Sequence, residues 1–269
     1  MVYLTGAIPV RIVTSGAGVA LALAAAVRLG DVAVAGLLIF ALNAPSVVAA
    51  PVIGALTDAV RSPKRFMLGS ALVFAGATRY LLTHGPLTRV VAAGAVVQLG
   101  AGMMPVVAVL VAVERGLAES AGGLLLTAFS IGGVTGALLI AVPAVTRRVG
   151  ALPPKRVMAV CFAATGVLTL VAAATPSFAL AAIALGLSGL PDAAGVAAML
   201  RLRQEESPAD VRAQVFVVAA GARVATAAVG AAVAGLIAGL DASLLLALVA
   251  LPWLAAFPIL LAGRRTAPA

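Results

Sequence analysis

Long, uninterrupted apolar stretches joined by short connections constrain this chain more than any other feature. Each is about 20 residues long, the length that an α-helix needs to cross the hydrocarbon core of a bilayer. The stretches are continuously apolar instead of alternating and about twice as long as a membrane β-strand, so we predict helices. Nine spans are predicted, the seventh interrupted at Pro191-Asp192: 8–27, 32–56, 66–82, 90–113, 121–145, 157–174, 178–200, 215–240 and 242–261.

The composition favours a membrane environment. Hydrophobic residues make up 63% of the chain and charged residues 10%, compared with roughly 45–50% and 25% in soluble domains. Such a chain has too little polar surface to cover a water-exposed globule, so the bilayer is its expected solvent. We therefore predict an all-α integral membrane protein with about nine transmembrane helices, located as a multi-pass protein in the plasma (inner) membrane.

The distribution of charge and the scarcity of catalytic or metal-binding residues argue against several classes of function. The net charge is +9, but most basic residues lie in short loops between apolar stretches, which is the positive-inside pattern of a membrane protein rather than a nucleic-acid-binding surface. Cys161 and His84 are each the one residue of their type, so no disulfide or metal site is expected. No phosphate-binding loop, carboxylate pair or Ser-His-Asp set is present, so we expect neither an enzyme nor a cofactor.

A repeated junction indicates an internal duplication. Residues 63–67 read Pro-Lys-Arg-Phe-Met and residues 154–158 read Pro-Lys-Arg-Val-Met. Three predicted spans separate these basic loops, so either the loops lie on opposite sides of the membrane or one stretch does not cross it. A six-plus-six protein that lost three spans from its first half explains this conflict. We therefore expect a partial N-terminal half at 1–85 and a six-helix C-terminal half at 86–269.

The loop between the second and third spans resembles the signature of the major facilitator superfamily, in which Gly-x-Leu-x-Asp is followed by Arg and a basic pair. The region 201–235 is also similar to the tenth-to-eleventh helix region of that family, and the drug-exporter-like branch is the nearest. Two positions depart from the signature, because Ala59 stands where Arg is usual and a following glycine is absent. The matching residues are Gly54, Leu56, Asp58, Arg61, Lys64 and Arg65.

This resemblance implies a secondary transporter that exports a small organic molecule by alternating access, coupled to protons. The signature loop would be a cytoplasmic latch that stabilises the outward-open state, or alternatively a solvated loop that only sets topology. A different class stays open, namely a non-transporting, truncated or degenerate membrane protein that is structural or needs a partner subunit or a second copy. The expected partners of a transporter are the lipid bilayer, the substrate and protons.

Polar side chains within the predicted spans are candidates for contacting substrate or protons. A charged group in lipid is costly unless it is paired, hydrated or protonated. Asp192 could couple protons, face a cationic substrate or cap the second half of a broken helix, and Arg223 could pair with Asp192, bind an anionic substrate or extend to the interface. The amides could contact substrate or bond between helices. The full set is Asp192, Arg223, Arg11, Asn43 and Gln98.

Small residues recur on two of the predicted helices. Small side chains allow membrane helices to approach at backbone distance, so we predict that these positions pack helices and do not contact substrate. The positions are Gly132, Gly133 and Gly136 on the fifth span, and Ala227, Gly230 and Gly235 on the eighth.

Overall fold

The computed structural model describes residues 75–76, 78–81, 83–209 and 211–262. This part of the chain is all-helical and contains no β-strand. Six of its helices, all except the short α3, are long and apolar enough to span a membrane. The helices are α1 (Gly85–Glu114), α2 (Gly122–Ala141), α3 (Pro143–Gly150), α4 (Pro154–Ala174), α5 (Phe178–Glu206), α6 (Arg212–Leu236) and α7 (Ala242–Leu261).

The last six predicted spans correspond one to one with the six long helices. The bounds of α7 are those predicted, and the other helices begin or end a few residues away. The predicted spans 8–27 and 32–56, and most of 66–82, lie outside the described residues. The helical class is therefore confirmed for the described part of the chain, whereas the total of nine spans stays a prediction.

Two predicted spans differ from the structure because of proline. The fifth ends at Ala141 instead of residue 145, since Val142 is extended (φ −65°, ψ 125°) before Pro143, and a residue before proline is disfavoured in the helical region. The interruption of the seventh span is wrong, because α5 continues through Pro191 to Glu206. Membrane helices tolerate an internal proline where neighbouring helices satisfy the backbone.

Local sequence signals explain where the helices begin and end. The first turns of α1, α3 and α4 contain proline, whose missing N–H would be unpaired there in any case. Ser177 and Asp241 cap α5 and α7 by accepting hydrogen bonds from the backbone N–H groups of Leu180 and Leu244, at 3.5 and 2.9 Å. After α1, Gly116 has φ +73°, a conformation that glycine adopts without strain.

One end of the bundle holds the loops before α5 and before α7, which lack Lys and Arg, together with Arg115 at the end of α1. The Arg115 guanidinium, just after α1, donates to the backbone oxygen of Thr175 at 2.7 Å. Glu114 Oε2 accepts a hydrogen bond from the backbone N–H of Ala242 at 2.6 Å. The loop before α5 and the loop before α7 therefore lie together, as expected for two loops on one side. Because each long helix reverses the chain, the basic loops after α2 and α5 lie at the opposite end.

The helix packing has an internal symmetry. The central helix α1 packs against α6 and α7, whereas α5 packs against α2 and α4, and α4 contacts α7. Helices α1, α2 and α4 form one triplet, and α5, α6 and α7 form a second. If each helix is replaced by its counterpart in the other triplet, the α1–α6 pair becomes the α5–α2 pair, the α1–α7 pair becomes the α5–α4 pair, and the α4–α7 pair is unchanged. Each triplet makes an odd number of crossings, so the second begins at the end where the first finished. Two inverted repeats produce this arrangement.

Glycines allow the helix pairs to approach closely. A Cβ atom on Gly102 of α1 would overlap the backbone of α6, and one on Gly230 of α6 would overlap the backbone of α1. Gly132 and Gly136 of α2 lie against the backbone of α5 in the same way. The predicted packing role is confirmed for Gly132, Gly136 and Gly230. It is not confirmed for Gly133, because a Cβ there would have no such neighbour nearer than 3.9 Å.

The described end of the third predicted span leads directly into α1. Residues 75–76, 78–81 and 83 are helical, and the backbone N–H of His84 donates to the carbonyl oxygen of Tyr80 at 3.0 Å. Leu81 packs against Leu87 at the start of α1 and Val215 at the start of α6. This segment therefore lies at the end of the bundle that carries the basic loops. Residues 54–65 lie outside the described residues, so the charge conflict stays a prediction.

Candidate functional site

Asp192 of α5 is held inside the bundle by an indole from another helix. Trp253 Nε1 of α7 donates a hydrogen bond to Asp192 Oδ1 at 3.0 Å. The tryptophan is 1% exposed, and its ring meets Phe129 of α2 edge-on with centroids 6.3 Å apart. Gly100 of α1 provides room, because a Cβ there would lie 2.7 Å from the indole. Asp192 is thus a positioned acceptor within α5, and the capping role predicted as its alternative is wrong.

Arg223 of α6 extends to α1. Its Nη2 donates a hydrogen bond to Oε1 of Gln98 at 3.0 Å. The two helices approach closely at Gly102 and Gly230, which brings the two side chains within reach. Two predicted candidates are therefore in contact, and Gln98 makes the interhelical hydrogen bond that is one of its two predicted roles.

Asp192 and Arg223 attract each other electrostatically, whereas the direct pairing of the two side chains stays a prediction. Coulomb energies between charges are severalfold larger in a protein interior than in water. The charge of Asp192 therefore acts on Arg223, which in turn is bonded to α1. We call Trp253, Asp192, Arg223 and Gln98 the polar network; it connects α7, α5, α6 and α1.

Arg203 is buried, although the predicted seventh span ends at residue 200 and would leave Arg203 in the loop that follows. It lies in the last turns of α5 and is 2% exposed. Its Nη2 is 3.3 Å from Met199 Sδ and 3.0 Å from the position of a Cβ on Gly94 of α1. Its Nε is buried and makes no hydrogen bond within the described residues. Helical periodicity is the available signal, because Arg203 follows Asp192 by about three turns and therefore shares its face.

Helices α5 and α6 both pack on α1 but contact each other little, so part of α1 separates them. Gly94 and Gln98 are one turn apart on this part of α1, where Gly94 lies under Met199 and Arg203 of α5 and Gln98 contacts Arg223 of α6. Arg203 and Arg223 interact electrostatically across it. We call these five residues the cationic groove.

The remaining predicted candidates are not placed by the structure. Arg11 and Asn43 lie outside the described residues, as does the whole signature loop that the latch hypothesis requires. Among the residues that are described, no group of three or more His, Cys, Asp or Glu side chains could hold a metal ion. The loop residues concerned are Gly54, Leu56, Asp58, Arg61, Lys64 and Arg65.

The fold and the polar network define a class of protein, namely an all-helical, multi-pass membrane protein with ionisable groups inside its helices. Neither a protein-family model, nor a curated protein, nor a solved structure matches the chain. The resemblance to the major facilitator superfamily therefore depends on the sequence motifs described above and stays a prediction.

Proposed function

We propose that the chain is a secondary active transporter that exports a small organic molecule across the plasma (inner) membrane by alternating access, coupled to protons. The polar network carries this proposal, because it positions a carboxylate and a guanidinium within helices long and apolar enough to span a membrane. Ionisable groups at such positions are expensive and characteristically mark the pathways of substrates and protons. Helices that served only as anchors would gain nothing from Asp192 and Arg223.

The symmetric packing supports the same proposal. Secondary transporters built from repeats bind substrate near the bilayer midplane where the repeats meet, and motion of one repeat against the other alternates access. Gln98 belongs to the first triplet of helices, whereas Asp192 and Arg223 belong to the second. The polar network therefore crosses the interface at which such motion would occur.

Asp192 is the proton-binding group in this mechanism. As a carboxylate, Asp192 attracts Arg223 and accepts the hydrogen bond from Trp253. When Asp192 binds a proton, its charge disappears and the attraction is lost, whereas the guanidinium keeps its own charge. Arg223 then leaves the position from which it contacts a polar group of the substrate, so proton binding on the outside releases the substrate, and its bond to Gln98 transmits the change to α1. One proton is bound and released in each cycle.

Proteoliposomes provide the test. The full chain is reconstituted with a pH-sensitive dye inside, a pH difference is imposed, and matched organic anions, cations and neutral compounds are added in turn. We expect one class to produce a compound-dependent proton flux above that of empty liposomes. If folded protein gives no such flux with any class, the alternative is favoured: a structural or non-transporting membrane protein, or one that requires a partner subunit or a second copy.

A further inference from the structure

We propose that the cationic groove binds the carboxylate of an organic monoanion, which specifies the substrate class of the transporter. This inference rests on the proposed function, because it assigns the molecule that the same bundle carries. The observation behind it is Arg203, whose side chain is 2% exposed and whose Nε makes no hydrogen bond within the described residues. An interior guanidinium in this condition indicates that an anion belongs beside it.

The surroundings of Arg203 do not balance its charge. Removing a guanidinium from water is unfavourable by several kcal/mol in a protein unless an anion and hydrogen bonds compensate. Met199 Sδ is a weak, uncharged acceptor. Glu205, one turn from Arg201, forms its ion pair with that exposed arginine at 2.7 Å. In the described part of the chain, no carboxylate forms an ion pair with Arg203.

The charges around the groove point to a single negative charge. Arg203 and Arg223 repel each other across the groove, and Asp192 attracts Arg223 from the neighbouring network. The positive charge of Arg203 has no ion-pair partner in the described part of the chain. A monoanion between the arginines would neutralise this charge and relieve the repulsion. A cation would add to the repulsion, and a neutral molecule would leave it unchanged.

The groove also matches the geometry of a carboxylate with an apolar body. The guanidinium fork presents parallel N–H donors that fit the two oxygens of a carboxylate. The amide of Gln98 accepts from Arg223 through its oxygen, which leaves its nitrogen as a further donor. Gly94 adds no side chain from α1, and Met199 contributes an apolar surface. The same carboxylate could also come from this chain, because Asp31, Asp58 and Asp210 lie outside the described residues.

The chain contains one tryptophan, Trp253, and this residue belongs to the polar network next to the groove, so its fluorescence provides a binding assay. The full chain is placed in lipid nanodiscs and titrated with benzoate, benzylamine and benzyl alcohol, which have similar size and different charge. Equilibrium dialysis with labelled benzoate gives the dissociation constant independently of the indole. We expect saturable binding of benzoate and no comparable binding of the other two compounds.

Two arginines on one helix give a matched pair of variants. Arg203→Gln should raise the Kd for benzoate about tenfold or more, because a hydrogen bond to a charged group is lost. Arg203→Lys keeps the charge without the fork and should bind benzoate more weakly than the unmodified chain. Arg201→Gln is the control: Arg201 is 47% exposed and paired with Glu205, so its replacement should leave the Kd unchanged. If Arg203→Gln does not fold, Arg203→Lys is compared with Arg201→Gln instead.

Three results would overturn the proposal. They are no saturable benzoate binding by the unmodified chain, equal benzoate affinity in the Arg203 variants, and benzoate binding that appears only after Asp31, Asp58 or Asp210 is changed to Asn. The last result would show that the chain supplies its own carboxylate. Benzoate binding without any compound-dependent proton flux supports this site and contradicts the proposed transport. Proton flux with cationic or neutral compounds, without benzoate binding, contradicts this site and supports the proposed transport.

Discussion

The indole nitrogen of Trp253 lies 3.0 Å from Oδ1 of Asp192, so the tryptophan of α7 holds the carboxylate of α5 inside the bundle. A hydrogen bond with an ionised acceptor is stronger than one between neutral groups. This hydrogen bond joins α5 to α7, whereas Arg223, which Asp192 attracts, is bonded to Gln98 of α1. Asp192 therefore stabilises the helix packing and also provides an ionisable group inside the bundle.

A double-mutant cycle measures this bond. Trp253→Phe and Asp192→Ala should each lower the free energy of unfolding, and the double variant should lose less than the two losses added together. The expected coupling is about 1.5–3 kcal/mol, the range for hydrogen bonds to charged groups. Circular dichroism during denaturation in detergent provides the measurement. Glu205→Ala combined with Asp192→Ala is the control and should show no coupling, because Glu205 pairs with Arg201 and shares no contact with Trp253 or Asp192, whereas additive losses for Trp253 and Asp192 would contradict the bond.

Adjacent glycines of α2 test the close approach of α2 and α5. Gly132→Ala should lower the free energy of unfolding by about 1–3 kcal/mol, because its Cβ would overlap the backbone of α5 and a packed interface cannot accept the extra methyl group. Gly133→Ala is the matched variant, since its Cβ meets nothing nearer than 3.9 Å. Thermal unfolding compares the two. Equal stability of both variants would show that the helices are farther apart than described.

Two glutamates distinguish a helix-capping contact from a surface ion pair. Glu114 accepts from the backbone N–H of Ala242 at the start of α7, where a negative charge is stabilising. Glu114→Ala should therefore cost about 1 kcal/mol of unfolding free energy. Glu205→Ala removes an exposed pair with Arg201 and should cost about 0.5 kcal/mol or less. No loss for Glu114→Ala would contradict the contact that places the ends of α1 and α7 on one side.

The sequence predicts the long helices well because nothing competes with a continuous apolar run of that length. It does not predict the continuity of α5. Pro191-Asp192 is also a helix-start signal, and only the neighbouring helices determine whether the chain breaks there. The spacing of Gly132 and Gly136 predicts that both pack against a neighbouring helix. That a Cβ on Gly133 would avoid α5 depends on the angle at which α5 crosses α2, which the sequence does not give.

Part of the candidate site can also be predicted from the sequence, because charged residues stand out within apolar stretches. An acid and an arginine inside apolar runs identify Asp192 and Arg223 directly. The tryptophan partner of Asp192 is a tertiary contact with no local pattern. Arg203 is missed because its position near other basic residues favours a loop, and its burial depends on the absence of a side chain at Gly94 on a distant helix.

Cysteine labelling tests the sidedness of the helix ends. In a Cys161→Ala background, Ala151→Cys after α3 should react with an impermeant thiol reagent from the cytoplasm, and Ser177→Cys before α5 should react from the outside, because basic loops remain cytoplasmic. Ser62→Cys addresses the charge conflict. Labelling of Ser62→Cys from the cytoplasm means that one stretch between the two basic loops does not cross. Labelling of Ala151→Cys from the outside would contradict the arrangement.

Proton coupling through Asp192 is the most direct consequence of the proposed mechanism. Asp192→Asn keeps an oxygen that can accept from Trp253 but cannot exchange a proton, so it should reduce compound-dependent proton flux in proteoliposomes to the level of empty liposomes. Asp241→Asn is the matched control, because asparagine caps a helix about as well as aspartate and Asp241 lies at the start of α7. This control should keep the flux of the unmodified chain. Unchanged flux in Asp192→Asn would contradict the mechanism.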